Sequence, residues 1–111
     1  MICHIAHKKD WIKALAENSY KPESLKKEGF IHCSPIEKIT ETANKFFMDQ
    51  KDLVLICIDE SMVDSNIIWE DLYGHNFNFP HIYGELNLDA VIKVSEFKSG
   101  SDGKFVLPEE I

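Results

Sequence analysis

The sequence predicts a small α+β domain in which two to three helices pack on a bent or split mixed sheet. The chain has 111 residues, the size of one compact domain, so we expect a single domain over 1–111. The run Leu53–Ile58 is continuously apolar and β-branched, which is typical of a central strand buried on both faces. Strands and helices do not alternate strictly, and most predicted helices precede the later strands.

Strands and helices are predicted in turn over the first 30 residues. Residues 1–6 alternate as a short strand buried on nearly both faces, with His4 on one of them. Asp10 can cap a helix over 10–18, whose apolar residues form one stripe. Pro22 opens a second helical turn, and Gly29 stands where a left-handed C-cap is expected.

The next boundary has a strong local signal. Phe30–Ser34 alternates as a second strand. Ser34 then stands at an N-cap position, Pro35 at the first helical position and Glu37 at the third, so the pattern predicts a helix from here to about Met48.

The second half is mostly strand and loop. Asn66–Leu72 reads as a strand, and Tyr73–Gly84 has no consistent period and is predicted as a loop rich in aromatic residues. The remaining predictions are one turn at Glu85–Asp89, a strand over Ala90–Phe97, a tight turn at Ser99–Gly103 and an edge strand over Lys104–Leu107.

The charge pattern restricts the partners. All 12 basic residues are lysines, there is no arginine, and 19 acidic residues give a net charge of −7. Such a chain repels polyanions, so nucleic acid and anionic membranes are not expected as partners. No apolar run approaches the roughly 20 residues that cross a bilayer. An anionic small molecule would have to be bound by lysine, histidine, hydroxyls or backbone amides. The pattern specifies no oligomeric state.

The cysteines predict a reducing compartment. Cys3, Cys33 and Cys57 are an odd number and lie in apolar runs, so they read as reduced, buried residues of a cytoplasmic protein. Strand alternation sends Cys3 and His4 to opposite faces, and no common metal-binding spacing occurs. No metal site is expected.

Two strand histidines are candidate ligand-binding residues. His4 lies on the first strand, and His32 shares a face of the second strand with Ser34. If these strands are neighbours, both imidazoles face one cleft beside a helix N-terminus, which suits an anionic or nucleotide ligand. Alternatively, each histidine is a half-buried strand residue bonded to a carbonyl or an acid.

The later candidates are His81, Tyr83 and Glu70. His81 and Tyr83 belong to the predicted aromatic loop, which fits a ligand lid and equally a packed plug over a sheet edge. Glu70 follows Trp69 in a largely apolar strand, where a partly buried carboxylate is a candidate base. An edge-strand charge that faces solvent is the other interpretation.

The chain resembles the bacterial and plant family catalogued as domain of unknown function nine-five-two (DUF952). The resemblance is carried by His4, Trp11, Tyr20 with Pro22, the GFIHCS run at 29–34, Trp69–Glu70, the FPHIYG run at 79–84 and the DGKF run at 102–105 with Leu107–Pro108. These motifs span nearly the whole chain. The family carries no established activity.

More distantly, the family is similar to the ADP-ribosyltransferase fold, a split and bent sheet that binds NAD. The resemblance implies NAD as a cofactor, His4 and His32 as its ligands and Glu70 as a catalytic glutamate, with His32 shared between binding and catalysis. Relatives with two histidines resemble NAD-dependent RNA 2′-phosphotransferases, whose mechanism uses arginines. This chain has none, which argues against RNA dephosphorylation.

Two functions therefore stand as hypotheses. The first is an ADP-ribosyltransferase-like enzyme that binds NAD or a nucleotide, with Ser34 near a phosphate or ribose and with His81 and Tyr83 closing the site. The second is a non-catalytic module that binds a small ligand or a protein in the same cleft.

Overall fold

A computed structural model describes residues 1–111 as two antiparallel sheets with three short helices. The strands are β1 (Ile2–His7), β2 (Ile31–His32), β3 (Ser34–Pro35), β4 (Leu53–Ile58), β5 (Asn66–Glu70), β6 (Phe79–Tyr83) and β7 (Val91–Phe97). The helices are α1 (Lys8–Glu17), α2 (Glu23–Lys27) and α3 (Ile39–Phe46), with 3-10 turns at Ile36–Lys38, Glu60–Met62 and Leu88–Ala90. The α+β prediction is confirmed, whereas the predicted mixed sheet is wrong, because every pair of strands is antiparallel. At ten residues, α1 is the longest helix, and none of the helices could cross a membrane.

The first sheet has the strand order β3-β1-β4-β7 and carries a core on each face. Because side chains alternate along a strand, Ile2 and Ala6 of β1 face one cluster, and Cys3 and Ile5 face the other. Helix α1 packs on the first face through Ala14. Helix α3 packs on the second face, so the two helices lie on opposite sides of the sheet.

The second sheet, with the order β2-β6-β5, joins the core on the α1 face. The chain passes from this sheet to the first one at Cys33, so the single strand predicted over 30–34 is divided into β2 and β3. Strand β3 pairs only with Ile2 and Cys3 of β1. From His4 to His7, β1 consequently has no strand partner on that side, and this open edge lies where the two sheets part.

The predicted capped helix at Ser34 is wrong in its first turn. Ser34 and Pro35 form strand β3, a 3-10 turn follows, and α3 begins only at Ile39. The Ser34 side chain is buried and shares a hydrogen bond of 3.2 Å with the Thr42 hydroxyl instead of capping the helix. Pairing with Cys3 therefore outweighs the local capping signal.

The predicted loop Tyr73–Gly84 is also wrong in its second half. Residues Phe79–Tyr83 form β6, the central strand of the second sheet. Proline is unusual in such a position because it has no N–H to donate. The Pro80 carbonyl accepts the Cys33 N–H at 3.1 Å. Because the nitrogen and the carbonyl of one residue point to the same side of an antiparallel strand, the Pro80 nitrogen also faces Cys33, just beyond the end of β2.

The C-terminal segment is irregular where an edge strand is predicted over Lys104–Leu107. Phe105 makes one isolated bridge with Ser99 and buries its ring in the core beneath α3. The Asn44 side chain accepts the Phe105 N–H at 2.7 Å and donates to its carbonyl at 3.4 Å. One amide side chain thus replaces the missing strand partner.

Candidate functional site

A cavity of about 780 Å³ lies at the open edge of β1 and reaches both faces of the first sheet. Its wall includes all five histidines of the chain, namely His4, His7, His32, His75 and His81. Aromatic rings contribute much of the remaining wall, from Tyr20, Phe46, Phe47, Tyr73, Phe77 and Phe79. No other surface of the molecule brings the histidines together.

His4 is a buried residue with both ring nitrogens occupied. Its Nδ1 bonds to the backbone carbonyl of His32, which can only accept, so Nδ1 carries the hydrogen. Its Nε2 then accepts the hydroxyl hydrogen of Tyr20 at 2.7 Å. Burial among neutral partners lowers the pKa of His4 from 6.5 to about 4, which keeps the ring uncharged at neutral pH. Burial likewise raises the pKa of Tyr20.

His81 is also buried, at 2% exposure against 8% for His4, but it is held by a carboxylate. Its Nδ1 lies 2.8 Å from Glu70 Oε2, and the same oxygen accepts the Tyr83 hydroxyl. These hydrogen bonds, from Tyr83 first and then from His81, lower the pKa of Glu70. Because the ionised carboxylate only accepts, Nδ1 of His81 carries the hydrogen. No protein group bonds to Nε2, and the ring lines the cavity.

His32 has a second tyrosine–glutamate pair beside it. Its Nε2 lies 3.1 Å from both carboxylate oxygens of Glu28, which also accepts the Tyr73 hydroxyl at 2.7 Å. These two hydrogen bonds lower the pKa of Glu28, and its carboxylate raises the pKa of Tyr73 to about 12. The His32 ring stacks with Tyr73 and meets His81 edge-on at 5.5 Å between centroids.

The sheets bring His4 and His32 together in an unexpected way. Their strands are not neighbours, since β1 and β2 belong to different sheets. His4 instead reaches the His32 main chain across the gap between the sheets.

The predicted site residues divide into two groups. His4, His32, Ser34 and His81 line the cavity. Glu70 and Tyr83 do not; they lie behind His81 and act on the cavity only through it.

Sequence reasoning missed three residues of the wall that hold or flank the histidines. These are Tyr20, Glu28 and Tyr73. Glu28 lies four residues before His32, and this spacing could have indicated from the sequence that the two side chains pair. The two tyrosines meet their partners only through the tertiary fold.

The site offers no metal-binding geometry. No group of three or more histidine, cysteine, aspartate or glutamate side chains is placed to hold a metal ion. All three cysteines are free and buried. Independently of this, His32 and His81 are each oriented by a carboxylate and can form hydrogen bonds in the cavity.

Known structures share this fold. The crystal structure of protein CC0527 from Caulobacter crescentus is similar with a TM-score of 0.85 and 29% identity, over 95% of this chain and 92% of that chain. The solution structure of the same protein gives a TM-score of 0.81 and 30% identity, over 93% and 89%. No curated protein matches the chain. The family model described as "Protein of unknown function (DUF952)" matches residues 5–94, so the chain belongs to the DUF952 family.

Proposed function

We propose that the cavity binds NAD or a related nucleotide and that the chain is an ADP-ribosyltransferase-like enzyme. One observation carries the proposal: His81 is almost fully buried, its Nδ1 is held by Glu70, and its Nε2 has no protein partner in the cavity wall. Since no side-chain nitrogen or oxygen is both buried and without a partner, this Nε2 is open to the cavity and can take a partner from a molecule that enters it. A hydroxyl of a bound ligand is such a partner.

The size and position of the cavity support a small-molecule ligand. Its volume of about 780 Å³ lies within the range of about 300–1,000 Å³ that is usual for such sites. It opens where two sheets part and where the His4–His7 stretch of β1 has no strand partner on the side away from β4. The ADP-ribosyltransferase resemblance also implies a ligand in the split of a bent sheet.

His81 is the residue that would act on the ligand. With its hydrogen on Nδ1, the neutral ring has a lone pair on Nε2 and can accept a proton from a hydroxyl. In ADP-ribosyl transfer the glycosidic C–N bond breaks and nicotinamide leaves with the electron pair. The acceptor hydroxyl forms the new C–O bond and gives its proton to His81.

Glu70 has a different role in this proposal from that of a catalytic glutamate that touches the ribose. Its carboxylate is engaged by His81 and Tyr83 and does not line the cavity. Glu70 is therefore a positioning residue that fixes the tautomer and orientation of His81. His32 presents Nδ1 as a second nitrogen without a protein partner, and Ser34 lies at the α3 side of the same wall.

The position of Glu70 also favours a second candidate function. An ADP-ribosyltransferase-like cleft in which the predicted catalytic glutamate, Glu70, does not line the cavity suits a module that binds a nucleotide without turning it over. The two candidates share the ligand and differ in the chemistry.

Calorimetric titration with NAD and with ADP-ribose tests binding. We expect binding that His81→Gln weakens by about tenfold, the cost of one hydrogen bond to a buried group. Glu37→Gln, on a turn residue that does not line the cavity, is the control for altered surface charge. An absence of binding at millimolar ligand contradicts the proposal.

Nicotinamide release from NAD separates the enzyme from the module. The enzyme predicts slow release that falls in both His81→Gln and Glu70→Gln. Binding without release in the wild-type chain supports the module instead. Thermal unfolding of each variant checks that the loss reflects the site and not misfolding.

A further inference from the structure

The cavity has an uneven distribution of charge between its two sides. We infer that it orients a dipolar ligand, with an anionic group against Lys38 and Lys45 and a cationic aromatic ring against Glu28 and Asp10. This inference rests on the proposed function, and it adds the charge pattern and the direction of the ligand.

The basic side is formed by the 3-10 turn and α3. Lys38 and Lys45 are the only cationic residues of fixed charge in the cavity wall. Lys38 lies over the Phe77 ring at 4.9 Å and pairs with Glu41 at 3.4 Å, so the side keeps one excess positive charge. The hydroxyls of Ser34 and Thr42 bond to each other, so one of their two hydrogens remains as a further donor on this side. A phosphate group suits such a surface.

The acidic side is formed by α1 and the end of α2. Asp10 and Glu28 line the cavity here, and no lysine of the wall accompanies them. Glu28 also fixes a flat aromatic surface, because it accepts hydrogen bonds from both His32 and Tyr73, whose rings stack at 6.1 Å between centroids. A cationic ring is attracted both by the carboxylates and by the aromatic faces.

The separation of charge follows from the fold. Helix α1 and Leu25 of α2 pack on one face of the first sheet, whereas α3 packs on the other. The cavity lies at the edge between the two faces, so the excess positive charge comes from one face and the negative charge from the other. The Nε2 of His81 has no protein partner and is open to the cavity, so it is available to a ligand placed there.

NAD⁺ and NADH are the probes that isolate the cationic ring. They share the adenosine and the pyrophosphate, but only NAD⁺ carries a positive charge on the nicotinamide. We expect calorimetry on the full chain to give NAD⁺ an affinity about fivefold higher than NADH, as for one partly exposed ion pair. Glu28→Gln keeps an acceptor for Tyr73 and removes the charge, so it should bring the ratio close to one. Glu23→Gln, on the solvent face of α2 and outside the cavity, is its control and should leave the ratio unchanged.

ADP-ribose and adenosine isolate the anionic group in the same way. The double variant Lys38→Gln/Lys45→Gln should weaken ADP-ribose by about tenfold and adenosine by less than about twofold. Lys13→Gln, outside the cavity wall, should change neither affinity.

The outcomes separate the two proposals. Equal binding of NAD⁺ and NADH, or an NAD⁺ preference that survives Glu28→Gln, overturns the inference and leaves the proposed function intact. Lysine variants that weaken ADP-ribose and adenosine equally also overturn the inference. Binding of neither dinucleotide overturns the proposed function, and the inference with it.

Discussion

His4 and His81 are both buried histidines in the wall of one cavity, yet their environments are opposite. His4 donates to a backbone carbonyl and accepts from Tyr20, so the neutral ring has no nitrogen left for a ligand. His81 donates to Glu70 and keeps Nε2 without a partner. Burial alone therefore does not decide whether a histidine is structural. The chemistry of its partners does, because a carbonyl and a hydroxyl together occupy both nitrogens of His4, whereas the carboxylate occupies only one nitrogen of His81.

The largest expected effect comes from His4→Phe, which removes the closed hydrogen-bond pair. The variant leaves the Tyr20 hydroxyl and the His32 carbonyl buried without their partner. We expect a loss of about 3 kcal/mol in the free energy of unfolding, because two buried polar groups become unsatisfied. Chemical denaturation measures it. Tyr20→Phe, which removes one of the two bonds, should cost less, and a loss below about 1 kcal/mol for His4→Phe would contradict the structural role.

Acidification should lower the free energy of unfolding through His4, by slightly less than the His4→Phe substitution does. The folded pKa of His4 is about 4, against 6.5 for a histidine in an unfolded chain. Between these values the unfolded chain binds a proton that the folded chain does not, so stability is full above 6.5 and falls as the pH approaches 4. We expect a loss of about 2 kcal/mol between neutral pH and about pH 5.

Unfolding curves of the wild type and His4→Phe at several pH values isolate this contribution. The fall between neutral pH and about pH 5 should be much reduced in the variant. Glu28 and Glu70, whose pKa values lie below 4.5, lose their contribution only at lower pH. An equal fall in both proteins would show that His4 is not the titrating group.

Glu70→Gln tests the other histidine. The glutamine keeps an acceptor for His81 but removes the charge that strengthens both of its hydrogen bonds. We expect a lower free energy of unfolding, with a loss larger than that of Glu28→Gln, measured by denaturant titration. A variant as stable as the wild type would mean that the carboxylate does not hold His81.

The matched change at the more exposed pair, Glu28→Gln, should have the smallest effect. Its carboxylate is 41% exposed, compared with 20% for Glu70. Solvent weakens such an interaction, so we expect a loss of about 0.5 kcal/mol or less in the same titration. A loss larger than that of Glu70→Gln would reverse the ranking of the two pairs.

Strands with a clear local pattern were predictable from the sequence. Residues 1–6 and the apolar run Leu53–Ile58 appear as β1 and β4 because alternation and continuous burial are properties of the strand itself. Strand β6 was not predictable from the sequence, because a proline argues against a central strand. Pro80 is tolerated in β6 only because it lies where β2 ends. Ser34 has the sequence of a helix cap but pairs with Cys3 across the sheet.

The site shows the same difference between what the local sequence indicates and what only the tertiary fold decides. His4, His32 and His81 were visible as residue types in strands or an aromatic run, and they line one cavity. The partners that distinguish them come from distant parts of the chain: Tyr20 is 16 residues from His4, and Glu70 is 11 residues from His81. Sequence reasoning therefore found the histidines but not which of them has a free nitrogen.

NMR spectroscopy of the histidine ring nitrogens, recorded with and without ADP-ribose, tests the contrast most directly. The structure predicts that ADP-ribose shifts the Nε2 signal of His81, because that nitrogen has no protein partner, and leaves both nitrogens of His4 nearly unchanged. A saturating addition that moves the His4 signals and leaves those of His81 in place would contradict the assignment of the two roles.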